Sequence, residues 1–278
     1  MNAAAAPFCR EAGSPAAAAG VICLHSNASN SGQWRALMER LADDFHVLAP
    51  DSYGAGKGPA LPKGRALSLA DEVALIEPLL ARRTEPWLLV GHSYGAAIAL
   101  KAALLHPQRV RAVVAYEPTL FGLLEDEAPD SAALAASAAI HAAASSAEAF
   151  VQAGDLPSAA RAFIDYWMGP GSFDAMPAPR QQAVAASMAP IGAWLRAVFS
   201  EPARRKAWTA LTQPVFALSG AASPAAARGV VRILGQALPS VRMQVFDGLG
   251  HMGPVTDAAA VNAVIERFLR EHLCSVRQ

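Results

Sequence analysis

The stretch Pro86–Gly95 constrains this chain more than any other. Trp87-Leu88-Leu89-Val90 is a short apolar run of the kind that forms a buried strand, and it stops abruptly at Gly91-His92-Ser93-Tyr94-Gly95. Ala96 to Leu105 then continues in strong helix formers. The pattern reads as strand, sharp turn and helix, with Ser93 at the apex. Gly91 and Gly95 leave room for strand and helix to approach on either side of a strained turn. The turn lifts the serine hydroxyl clear of the sheet, and the N–H of Tyr94 starts the helix beside it. G-x-S-x-G alone is a weak signal, but set between an apolar strand and a helix it marks a candidate nucleophile. The competing reading is a flexible Gly/Ser turn without chemistry.

Strands and helices alternate around this element. Gly20–Leu24, Phe45–Ala49, Val110–Tyr116, Pro214–Leu218 and Val241–Phe246 read as further strands, and Phe8–Glu11 as a short one. Trp34, Leu37, Met38 and Leu41 share one helix face, Ser68 and Asp71 resemble a capping box opening a helix to about Arg82, and a closing helix runs from about Thr256 to His272. Such alternation implies a mostly parallel, doubly wound α/β sheet. It is interrupted between Thr119 and Leu211, an alanine-rich region of helical pattern broken at Gly154–Pro157, Gly169–Gly171 and Pro177–Pro179. The expected organisation is therefore a core of residues 1–118 and 212–278 with a helical cap inserted at 119–211.

Charge and composition narrow the function. The 23 basic and 23 acidic residues balance, no basic stripe is visible, and neither nucleic acid nor a membrane is expected as a partner. No apolar run of about 18 residues is free of charge or breakers, and Met1–Pro7 lacks the features of a signal peptide, so a cytoplasmic protein is expected. Cys9, Cys23 and Cys274 fit neither a metal site nor a disulfide framework, and Cys23 reads as a small core residue. The loop Pro50–Pro59 is glycine-rich but lacks phosphate-loop spacing.

Five stretches in order resemble the α/β-hydrolase fold: the His25 loop, Pro50–Gly56, the Gly91–Gly95 turn, the insertion after Tyr116, and Gly250-His251. The resemblance implies Ser93 as nucleophile and His251 as its base. His25 and His92 are then expected to hydrogen-bond loop backbone beside the site. His46 and His106 flank strand or helix ends, and His141 and His272 read as helix-surface residues. The family's usual acid follows the strand 214–218, where this chain reads Gly220-Ala221-Ala222-Ser223, and no Asp or Glu occurs between Glu201 and Asp247. Some members, among them one group of haloalkane dehalogenases, carry the acid after the strand that follows the nucleophile strand. That position is Glu117 here, with Asp247 as the alternative. The resemblance further implies an oxyanion hole from the N–H groups of Tyr94 and Asn27, although Ser26 stands where the family has glycine. Asp51 reads as a turn-closing residue. Phe121, Tyr166, Trp167, Trp194 and Met252 are candidates for lining a pocket.

The implied activity is hydrolysis of a small, fairly apolar carboxylic ester or related acyl compound through an acyl-enzyme, with no cofactor. Thioesterase, lactonase, amidase and carbon–carbon bond hydrolase chemistry use the same serine. A ligand-sensing protein with vestigial catalysis is the alternative of a different class, raised by the missing acid; a carboxylate within hydrogen-bond reach of His251 would favour the enzyme. A cofactor-free lyase or oxygenase, which would not need Ser93, is a third.

Overall fold

A computed structural model describes residues 7–126 and 130–273; Met1 to Ala6 and Cys274 lie outside them. Seven strands form one sheet: β1 (Cys9–Ala12), β2 (Ala19–Leu24), β3 (Phe45–Pro50), β4 (Trp87–His92), β5 (Val110–Tyr116), β6 (Val215–Gly220) and β7 (Val241–Phe246). Their order is β1-β3-β2-β4-β5-β6-β7, with β1 antiparallel to β3 and every other pair parallel. β4, which carries the Gly91–Gly95 turn, thus lies in the middle, flanked by β2 and β5.

The helices cover both faces, as a parallel sheet requires. On one face lie α1 (Arg35–Leu41) and the last helix; on the other lie α2 (Leu69–Leu80) and α3 (Tyr94–Leu105). Alternate residues of β4 divide between the two cores. Leu88 and Val90 pack with Leu37 and Leu41 of α1, whereas Trp87 and Leu89 pack with Leu79, Ala97 and Leu100. Ser68 and Asp71 cap α2 reciprocally, each side chain accepting the other's backbone N–H.

Between β5 and β6 the chain runs through α4 (Ser131–Gln152), α5 (Leu156–Met168), α6 (Ala178–Ala186), α7 (Ile191–Phe199) and α8 (Arg205–Trp208). Gly154 ends the first, and the Asp155 side chain caps the second by accepting Ser158 N–H. Gly169 and Gly171, both at positive φ, end α5, and Pro177 opens α6. α4 is long and apolar enough by composition to pass for a membrane span, with alanine its commonest residue and Glu148 interrupting the apolar run. Ala136, Ile140, Ala144 and Ala147 of α4 pack into the first core. α9 (Ala225–Ala237) follows β6. The closing helix breaks into α10 (Gly253–Thr256) and α11 (Ala258–Glu271), because the Asp257 side chain caps a new start by accepting Ala260 N–H.

Candidate active site

The turn after β4 is strained at one residue. Ser93 has φ 56° and ψ −115°, and its N–H donates to Tyr116 O at 2.8 Å. A Cβ on Gly91 would collide with Ala96 and the Gly95 carbonyl, and one on Gly95 with the Leu24 carbonyl. Both glycines are therefore required by close packing rather than by their own torsions. Tyr94 is the first residue of α3, so its N–H belongs to the set that an α-helix leaves without an internal acceptor.

Ser93, His251 and Glu117 come from three widely separated segments and meet. His251 Nε2 is 2.9 Å from Ser93 Oγ, and Nδ1 is 2.6 Å from Glu117 Oε2. Since a carboxylate accepts, Nδ1 carries the proton and Nε2 is left to accept from the serine hydroxyl. Glu117 is completely buried, and its other oxygen accepts Gly220 N–H at 2.8 Å. It sits at φ 46°, just past β5, with its N–H donating to Leu218 O of β6. β5 and β6 are neighbours, so a glutamate ending the first reaches the loop after the second. Tyr116 then steadies the histidine loop, its hydroxyl donating to Gly250 O at 2.8 Å.

The loop after β2 approaches from the other side, and Asn27 lines the same cavity as Ser93. Ser26 adopts no unusual torsion; the positive φ of this loop falls at Ala28, at 52°. Two bonds replace the freedom of a glycine at Ser26: its N–H and its hydroxyl both donate to Gln33 Oε1, at 3.1 and 3.0 Å. The amide of Gln33 in turn donates to His92 Nδ1 at 3.1 Å, and His92 Nε2 donates to the carbonyl of His251 at 2.8 Å. The carbonyl can only accept, which fixes the His92 tautomer. Burial, with the neighbouring His251 ring second, holds His92 well below the ordinary histidine range and hence neutral. Gln33 thus links the Asn27 loop to the candidate base, a role sequence reading missed because it depends on a contact across the fold.

The cavity over Ser93 has a volume of about 600 Å³, within the range of small-molecule sites. Trp167 of α5 stacks on His251 with ring centroids 3.8 Å apart, and Met252, Phe163 and Val255 extend the apolar wall. Phe121 does not line the cavity, contrary to the expectation: it is buried behind Trp167, stacked on it at 6.2 Å. Tyr166 meets the edge of Trp167 rather than the cavity, and Trp194 packs under Tyr94 with its indole N–H donating to Tyr53 O.

The remaining candidates fall into place around the site. His25 donates from Nδ1 to Ser26 O and accepts Ser52 N–H at Nε2, so it braces two loops. His46 pairs with Glu11, His106 with Glu77 and His141 with Glu125, while His272 bonds Phe268 O. Asp51 closes its turn by accepting Ser31 and Lys57 N–H. Asp247 is exposed in the turn after β7, and Ser223 is buried with its hydroxyl unpaired. Among the described residues no group of His, Cys, Asp and Glu is arranged to hold a metal, and Cys9 and Cys23 are free thiols. Burial raises both, Cys9 to about 11. Behind Tyr94, Glu72 of α2 is almost fully buried, accepts the Tyr94 hydroxyl at 3.0 Å, and is pushed by burial to a pKa of about 8.

The sequence profile of the alpha/beta hydrolase fold matches residues 21–258, and the chain belongs to this family. It is 36% identical over 101 residues to a putative carbamate hydrolase, RutD, of Yersinia enterocolitica. It is 38% identical over 112 residues to the 2-(acetamidomethylene)succinate hydrolase of Mesorhizobium japonicum, and 40% over 111 residues to epoxide hydrolase A of Mycobacterium tuberculosis. The matched segments cover 35%, 40% and 38% of this chain and 36%, 39% and 33% of those relatives. Among solved structures, the enol-lactonase of Burkholderia xenovorans shares the fold with a TM-score of 0.70 at 19% identity, over 95% of this chain and 96% of that one. MenH of S. aureus does so with a TM-score of 0.73 at 13% identity, over 95% and 98%.

Proposed function

We propose that this protein is a serine hydrolase that cleaves a small, largely apolar carboxylic ester or related acyl compound through an acyl-enzyme. One observation carries the reading: the unbroken hydrogen-bonded series from Ser93 Oγ through His251 to Glu117. A serine hydroxyl is a weak nucleophile until a base takes its proton. Here His251 Nε2 receives that proton as Oγ attacks the carbonyl carbon, and Glu117 stabilises the imidazolium that forms. The N–H groups of Tyr94 and Asn27 hold the oxyanion. Collapse of the tetrahedral intermediate expels the alcohol, protonated by His251, and water repeats the cycle on the acyl-enzyme. The flat face of Trp167 against His251 adds cation–π stabilisation to the imidazolium. Residues 119–211 act as the cap that shapes the acyl pocket, and no cofactor takes part.

The relatives named above differ in substrate, and their matched segments are partial, so the serine is the better guide. Epoxide hydrolysis in this family employs an aspartate at the elbow, where this chain has Ser93. The sensing alternative loses its main support, the missing acid, once Glu117 stands within bonding distance of His251.

Labelling with a fluorophosphonate and hydrolysis of p-nitrophenyl butyrate test the proposal together. Wild type should be labelled and active, and Ser93→Ala should be neither. A folded wild type that is unlabelled and inert, or turnover that survives Ser93→Ala, would overturn it.

A further inference from the structure

The cavity above Ser93 has an electrostatic asymmetry that acyl transfer alone does not need. Arg35, at the start of α1, borders it from the core side, and Arg180, on α6, borders it from the insertion. Among the described residues no aspartate or glutamate lines it. In a chain with equal numbers of acidic and basic residues, this cavity therefore carries a local charge of one sign. Several arginines elsewhere on the surface are matched by a carboxylate: Arg40 with Glu266, Arg65 with Asp71, Arg161 with Asp174, and Arg270 with Glu266 and Asp44. Among the described residues, no side chain forms an ion pair or hydrogen bond with Arg35 or Arg180.

We propose that the substrate carries a carboxylate, bound between Arg35 and Arg180, in addition to the acyl group presented to Ser93. The inference rests on the hydrolase reading of the same cavity and narrows its substrate class. The body of the substrate lies along Trp167, Phe163 and Met252, and its anionic end faces the two guanidiniums. Guanidinium is suited to this task because its planar fork of donors matches a carboxylate in bidentate geometry. The two arginines sit on different parts of the fold, so one anion held by both also fastens α6 to the core and closes the cavity over the reacting carbonyl. A neutral ester of the same shape makes the apolar contacts but not this one. The carboxylate can belong to the acyl part or to the leaving group; both use the same recognition chemistry.

Paired substrates distinguish these sources and test the idea. For the acyl side, hydrolysis of mono-p-nitrophenyl glutarate is compared with that of p-nitrophenyl pentanoate. For the leaving group, para-acetoxybenzoate is compared with its methyl ester. In wild type the anionic member of one pair should have a kcat/KM about tenfold or more above its neutral partner, as charge-assisted bidentate pairs are the strong ones. In Arg35→Gln and Arg180→Gln that ratio should fall about tenfold each, and raising ionic strength should reduce it in wild type. Ratios at or below one in both pairs, or ratios that both variants leave unchanged, would overturn the proposal while labelling of Ser93 by a fluorophosphonate kept the hydrolase reading intact. Calorimetric titration of Ser93→Ala with glutarate provides a readout that needs no turnover. Binding that Arg180→Gln abolishes in this background supports the anion site even if no ester is cleaved, and absence of binding refutes it even if neutral esters are.

Discussion

Glu117 reaches His251 from a strand other than the one whose following loop lacks an acid. Its Oε2 lies 2.6 Å from Nδ1 of the histidine, while Oε1 accepts the N–H of Gly220, the last residue of the neighbouring strand β6. The vacancy at Gly220–Ser223 and the carboxylate at Glu117 are therefore two parts of one arrangement. The backbone at the end of β6 supplies a hydrogen bond to the carboxylate, and the loop after it supplies no carboxylate of its own.

The amide of Glu117→Gln would keep the volume but not the charge, and could turn its NH₂ toward Nδ1, favouring the tautomer in which Nε2 is protonated and unable to take the serine proton. Replacing the acid of a Ser-His-acid triad by its amide costs on the order of ten thousandfold in kcat where the geometry is otherwise kept. The expected result is a loss of at least about a thousandfold in p-nitrophenyl butyrate hydrolysis with little change in KM. Activity within a fewfold of wild type would remove Glu117 from the mechanism.

Gln33 makes a prediction of a different kind, because it touches neither Ser93 nor His251 through its side chain. Its Oε1 holds both polar groups of Ser26, and its NH₂ meets His92, which holds the His251 carbonyl. Gln33→Leu leaves the Ser26 N–H and the His92 acceptor unpaired and frees the Asn27 loop. Misplacing reacting groups by about 1 Å costs about a hundredfold, so kcat should drop ten- to a hundredfold, with KM affected less. Gln33→Glu, which keeps the acceptor for Ser26, should recover part of the loss. Equal losses in the two variants would place the effect in packing instead.

Much of this arrangement was legible in the sequence, and what was not depends on tertiary contact. The Gly91–Gly95 turn could be read because strand, glycine, serine, glycine and helix follow one another, although the carbonyl that Gly95 makes room for, that of Leu24, lies on β2. Glu117 follows from the resemblance to the α/β hydrolases, some of which carry the acid after the strand next to the nucleophile strand, once the usual position is empty, with no acid between Glu201 and Asp247. Its closeness to His251, however, follows from β5 lying next to β6, a pairing that only the folded sheet supplies. Phe121 and Trp167 could not be ranked as pocket residues because both are aromatic and both follow β5. Which one faces the cavity is decided by the stacking of α5 over the turn after β5. Gln33 carried no signal, as its partner His92 is 59 residues away.

Lys101 and Glu201 join the helix that follows Ser93 to the end of the helical insertion. Both are nearly buried, with Nζ 2.7 Å from Oε1, and the same oxygen accepts Ala203 N–H. Removing one partner of a buried pair strands the other charge, at a cost of about 3–5 kcal/mol. Lys101→Met should therefore lower the urea midpoint substantially, whereas Lys101→Met combined with Glu201→Leu should recover much of the loss. If the double variant is as unstable as the sum of the single ones, the pair has no coupling and the prediction fails.

Glu72 sets the expected dependence of stability on pH. Its carboxyl is buried against Tyr94, and burial raises its pKa in the folded state from 4.5 to about 8. A carboxyl whose folded pKa is raised holds its proton more tightly in the native chain than in the unfolded one, so the native state is favoured while the group is protonated in both. This contribution is fully present below about pH 4.5, and it is lost as pH rises from there to about 8, where the folded group also ionises. Each pKa unit corresponds to about 1.4 kcal/mol, so the decline from this group amounts to a few kcal/mol. Glu72→Gln keeps an acceptor for the Tyr94 hydroxyl and cannot ionise. Relative to wild type it should gain stability steadily between these limits and no further above about pH 8, as read by urea unfolding at a series of pH values. A difference between the two proteins that does not change with pH across this window would mean that Glu72 ionises alike in the folded and unfolded chains, and that its burial behind Tyr94 costs the native state nothing.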